Sequence, residues 1–170
     1  MTDGALHLTH GTESPKTHTP VISLLLAYSA MLPTAAGAIA AWAIRPAKAA
    51  VVARLTIGWA GAILCFLAGV RRGLSFRQKG GSTAAQLASM FWLFVLGAAA
   101  LLSPRRMPAL VLLLLGYTSE TVLGPIAAER DEAPRYFARL RPVQMLIPIG
   151  SLAALLLWDR YRAGRTTGDE

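Results

Sequence analysis

Hydrophobic positions along this chain fall into five long runs, at 21–44, 50–70, 83–103, 107–128 and 142–158, separated by short polar, basic or proline-bearing connections. A helix crossing the hydrocarbon core, about 30 Å thick, needs about 17–25 predominantly apolar residues at a rise of about 1.5 Å each. All five runs meet that length, and none shows the strict alternation of a half-buried strand. The pattern predicts an all-α fold: a polytopic membrane protein built as a five-transmembrane-helix bundle over residues 21–158. Residues 1–20 are polar and carry His, Ser, Thr and two prolines, so a disordered tail is expected there. Residues 159–170 read as a polar C-terminal tail.

The connections carry the expected punctuation. Arg45, Pro46 and Lys48 divide the first two runs. A basic loop with Arg77, Lys79, Gly80 and Gly81 divides the next two. Ser103-Pro104-Arg105-Arg106 makes a tight turn, with Pro108 suited to a first helical turn. In the connection at 129–141, Pro134 is placed to open a short interfacial helix through Leu140, with Arg135 and Arg139 on one face and Tyr136 and Leu140 on another. A solvated loop is the competing reading.

Small residues recur at intervals of four: Gly61, Cys65 and Gly69 in the second run, and Ala36/Ala40 and Gly37/Ala41 in the first. Lipid supplies no hydrophobic drive between helices, so such faces mark close backbone approach within a compact bundle.

An odd number of spans puts the termini on opposite sides. The N-terminal side, side A, collects Lys16, Arg71, Arg72, Arg77, Lys79, Arg130, Arg135, Arg139 and Arg141. Side B collects Arg45, Lys48, Arg105, Arg106, Arg160, Arg162 and Arg165, with Arg54 just inside the second run. The small excess on side A leans toward a cytoplasmic N-terminus. Trp42, Trp158 and Tyr161 fall at the side B interface, where an aromatic belt belongs.

Composition agrees with this placement. Only 15% of residues are charged and the mean hydropathy is +0.47, leaving no length for a soluble catalytic domain. The formal net charge of +8 belongs to short loops facing headgroups, so no nucleic-acid partner is expected. The polar start lacks the basic-then-apolar order of a secretory signal. The one cysteine, Cys65, sits among apolar residues as a small packing group, and no CxxC motif is present.

The sharpest chemical feature is Glu120, a lone carboxylate inside the fourth run. Such a group costs about 2.5–3.5 kcal/mol at mid-membrane on insertion scales, so it is expected to face the bundle interior with a partner. Gly116 and Gly124 share its face, Tyr117 and Thr121 flank it, and Pro125 is expected to loosen or end the helix. Helix direction places further polar groups in the same leaflet: Tyr28, Arg71, Arg72, Gln86 and Gln144. These residues are candidates either for a ligand pocket open to side A, with an arginine countering Glu120, or for a hydrogen-bonded network that locks the bundle.

Other chemistry is thinly represented. The histidines, His7, His10 and His18, all lie in the tail, and no GxSxG, HExxH or phosphate-loop motif occurs. No catalytic residue, metal site or cofactor is expected.

Three segments carry a family resemblance: Ala27-Tyr28-Ser29-Ala30-Met31-Leu32-Pro33, Phe66-Leu67-Ala68-Gly69-Val70-Arg71-Arg72-Gly73-Leu74 and Pro134-Arg135-Tyr136-Phe137-Ala138-Arg139-Leu140-Arg141. Their order and spacing resemble a family of small bacterial and mitochondrial membrane proteins typified by transmembrane protein 69. The resemblance implies a five-helix bundle in a bacterial or mitochondrial inner membrane. It implies no activity and no site residue. The expectation is a non-enzymatic accessory or assembly subunit of a membrane complex, in contact with the lipid bilayer and a membrane-protein partner or a second copy. The alternative is a small-molecule or proton-coupled carrier using the cluster around Glu120.

Overall fold

The computed structural model describes residues 25–26, 28–75, 82–129 and 137–166. Among them are five helices and no strand: α1 (Leu32–Ala43), α2 (Pro46–Ser75), α3 (Ala84–Leu102), α4 (Arg106–Glu129) and α5 (Phe137–Thr166). The predicted tail at 1–20 lies outside the described residues, as do Pro134, Arg135 and Tyr136.

Four helices, α2 to α5, are long and apolar enough to cross a membrane. The first run differs from the expectation. Its α1 has 12 residues, about 18 Å, which is short of a hydrocarbon core. Residues 25–26 and 28–29 are helical, and a turn at Ala30–Met31 separates them from α1. Pro33 is the cause. It has no N–H to give to Ser29 O, and its ring disfavours a continuous helix through the preceding turn. Thr34 N then bonds Met31 O (3.1 Å), and Ala30 O accepts instead from Trp59 Nε1 of α2 (2.9 Å).

Helix starts follow local chemistry. Pro46 stands at the first position of α2, four residues before the predicted boundary. Thr83 and Gln86 form a reciprocal capping box at α3: Thr83 Oγ1 accepts from Gln86 N (3.3 Å) and Gln86 Oε1 accepts from Thr83 N (3.0 Å). Pro125 does not end α4, which runs on to Glu129. Helix α5 begins at Phe137, passes through Pro142 and Pro148, and continues to Thr166. Two expectations change here. Residues 137–140 are the opening turn of the last spanning helix rather than part of a separate interfacial helix, and 159–166 are helical rather than tail. Interior prolines are tolerated in spans because neighbouring helices can satisfy freed backbone groups.

The helices close a ring in chain order, α1 beside α2 and so on to α5, which packs back on α1. Helices α2 and α4 also touch across the middle. The core between them holds Ile57, Leu64, Leu93, Leu110, Leu113, Met145, Leu152 and Leu155. Outward faces are apolar as well, with Phe91, Phe94, Leu102, Leu146 and Leu157 exposed, as lipid contact requires.

Small residues set the closest crossings. A Cβ on Gly97 would lie 2.7 Å from Cys65 Sγ and 3.0 Å from Gly61 O, so α2 and α3 meet where neither can carry a larger side chain. A Cβ on Gly116 would lie 2.3 Å from Leu64 Cδ2, and one on Gly37 would lie 1.9 Å from Thr56 Oγ1. The predicted stripe in α2 therefore ends at Cys65, because Gly69 faces open space. In α1, Ala41 is buried and Gly37 packs on α2, whereas Ala36 faces outward.

Candidate functional site

Glu120 projects from α4 into the bundle and is 1% exposed. Arg71, in the last turns of α2, donates to its Oε2 from Nε (3.1 Å) and Nη2 (2.9 Å). Arg141, in the second turn of α5, brings Nη1 to 3.1 Å from the other oxygen, Oε1. Both arginine side chains are largely enclosed, 14% and 9% exposed. One carboxylate thus binds guanidinium groups from two other helices, one on each oxygen. The neck of this arrangement is Gly124, one turn beyond Glu120. A Cβ there would meet Arg141 Cβ and Cγ at 3.3 Å, so the bare backbone lets the Arg141 stem lie across α4.

The helix directions explain why these groups meet. Helices α2 and α4 end on side A and α5 starts there. The end of one span, the start of another and a carboxylate seven residues before Ala127 therefore share one leaflet. The triad carries two positive charges and one negative.

The other predicted residues take different places. Tyr117 is fully buried, but its hydroxyl donates to Ala60 O of α2 (2.8 Å), tying α4 to α2 at a deeper level. Gln144 is 4% exposed and lies three residues after Arg141 on α5. Arg72 Nη1 donates to Ser82 Oγ (2.6 Å), and Ser82 Oγ lies 3.0 Å from Ser75 Oγ; these bonds join the end of α2 to the start of α3. Gln86 has its side-chain oxygen committed to the α3 cap. Tyr28 is half-buried, and its hydroxyl makes no hydrogen bond among the described residues. The structure therefore joins Arg71 to Glu120, and does not gather all seven candidates around one space.

Arg141 is the partner that sequence reading missed. The run beginning at Pro142 puts Arg141 in the preceding connection. The available signal was Arg141 and Gln144 at helical spacing, two polar side chains one turn apart on the same face. Among the described residues, no three His, Cys, Asp or Glu side chains cluster to hold a metal ion.

A second polar cluster closes side B. Arg106 Nε donates to Asp159 Oδ1 (2.7 Å), joining α4 to α5. Trp158 is buried between the guanidinium groups of Arg106 and Arg162, 5.5 and 5.3 Å from its ring centre. Trp42 Nε1 donates to Ala154 O (3.1 Å), and its ring lies 6.2 Å from that of Tyr161. Arg54 donates to Ser103 O (2.9 Å) and to Pro104 O, holding carbonyls left without partners at the end of α3.

Against known proteins, the chain matches no family model, no curated protein and no solved structure.

Proposed function

We propose that this chain is a non-enzymatic integral membrane protein acting as an accessory or assembly subunit of a membrane complex. The observation that carries the reading is the engagement of both Glu120 oxygens by arginines from two neighbouring helices. The carboxylate with the strongest claim to chemistry is employed in holding α2, α4 and α5 together. A catalytic acid or base needs access to a reacting atom, and a carrier needs a group that changes partners as cargo passes. A triad fixed on both sides favours a rigid scaffold that works through its lipid-facing surfaces. In this reading residues 21–44 together form a fifth span, broken at Ala30–Met31. The resemblance to the transmembrane protein 69 type and the distribution of basic residues favour a bacterial inner membrane with a cytoplasmic N-terminus.

The test is to extract the tagged full chain from its native membrane in mild detergent and measure its mass and composition. The reading predicts a partner membrane protein at fixed stoichiometry. A single species that moves or binds a small solute would overturn it.

A further inference from the structure

At the side B end, α2 and the α3–α4 turn enclose a cleft of about 600 Å³ lined by Val51, Arg54, Leu55, Arg105, Arg106 and Asp159. Its charges do not cancel. Asp159 is taken by Arg106, whereas Arg54 bonds only carbonyl oxygens. Arg105 is exposed, and its guanidinium makes no hydrogen bond among the described residues. Two guanidinium charges therefore face the cleft without a carboxylate of their own, at the end of the bundle where α4 begins. The first turn of α4, which opens beside the cleft, has no acidic residue to use its positive end.

The cleft does not stop at the interface. Arg54 and Leu55 also line a second groove of about 620 Å³, whose other walls include Gly37, Val52, Gly58 and Trp59. From Leu55 to Ala62 this groove descends α2 by seven residues, about 10 Å into the membrane. Gly58 opens it: a Cβ there would find nothing within 4 Å. Val51 and Leu55 present bare apolar surface at the junction, 59% and 68% exposed.

A doubly positive mouth that continues into an apolar trough has the shape and polarity of one kind of molecule. We propose that this is a binding site for an anionic glycerophospholipid. Its phosphate meets Arg54 and Arg105, and one acyl chain lies in the trough between α1 and α2. Basic recesses between spanning helices take anionic headgroups through such contacts. A free phosphate or other soluble anion would use the mouth alone, and a zwitterionic lipid would leave the surplus charge unmatched.

The test uses the full chain in detergent, with lipid retention read by native mass spectrometry. The probes are phosphatidylglycerol and phosphatidylcholine of identical acyl chains, each with and without inorganic phosphate. The proposal predicts retention of phosphatidylglycerol about fivefold or more above phosphatidylcholine. Arg105→Gln lowers phosphatidylglycerol retention by about fivefold and leaves phosphatidylcholine nearly unchanged. Gly58→Leu, whose added Cβ meets no protein atom within 4 Å, weakens retention of both lipids. Equal retention of the two lipids by the wild-type chain overturns the proposal. So does indifference of phosphatidylglycerol to Arg105→Gln. Displacement by inorganic phosphate together with indifference to Gly58→Leu would assign the mouth to a free anion instead.

Discussion

The two ends of the bundle use the same chemistry at different depths. On side A, Arg71 and Arg141 hold Glu120, with the carboxylate 1% exposed. On side B, Arg106 holds Asp159, with the two side chains 35% and 14% exposed and Trp158 stacked beneath. Exposed pairs sit in a high dielectric and contribute about 0–1 kcal/mol. Enclosed pairs contribute little relative to an apolar core, yet removing one partner leaves a buried charge and costs about 3–5 kcal/mol. Under the proposed scaffold reading, the side A triad serves as a specificity device that makes one register of α2, α4 and α5 tolerable and the others costly. The side B pair is only partly enclosed, through Arg106 at 35%, and beside it Arg54 and Arg105 are exposed and remain available to a ligand.

The largest expected effect of a substitution follows from that contrast. Glu120→Gln leaves Arg71 and Arg141 facing each other without their carboxylate, a loss of about 3–5 kcal/mol, measured as resistance to unfolding in a graded detergent titration. Wild-type resistance in this variant would place the triad's charges in effective contact with water. Next is Gly97→Val. Its side chain must displace Cys65 or the α2 backbone, and overpacking of this kind costs about 1–3 kcal/mol. The same titration reads it, with engineered cysteine crosslinks between α2 and α3 reporting their separation. Tyr117→Phe removes the bond to Ala60 O and costs about 0.6 kcal/mol, the average for hydrogen bonds between membrane helices, and at most about 1.7 kcal/mol. The smallest effect belongs to Asp159→Asn, at most about 1 kcal/mol and reduced further by salt. A loss at Asp159 as large as that at Glu120 would erase the distinction between the two ends.

Much of this was legible before any coordinates. Runs of apolar residues set the four long helices, because in lipid the backbone must satisfy itself and length is fixed by membrane thickness. Glu120 stands out because a lone carboxylate within a span must find a partner, and Arg71, at the end of the second apolar run, is a named candidate. What escaped concerned prolines. Pro33 sits in an unbroken apolar run, yet it redirects the carbonyl of Ala30 to Trp59 and splits the segment. Pro142 reads as a helix start in the sequence, whereas α5 begins at Phe137 and passes through it. That single misplacement hid Arg141, because a residue assigned to a loop is not sought in a core. Gln86 was misplaced for another reason. Its distance from the helix start suited a pocket, but the same distance from Thr83 is the capping-box spacing, and the local bond took the side chain.

The central claim is that Glu120, Arg71 and Arg141 act as one electrostatic lock. The most direct measurement compares Glu120→Gln with the triple substitution Arg71→Gln/Glu120→Gln/Arg141→Gln in the same unfolding titration. If the triad is a lock, neutralising all three groups restores most of the stability that the single change removes, because no buried charge is left unmatched. A triple variant no more stable than Glu120→Gln, or a Glu120→Gln variant as stable as the wild type, would contradict it.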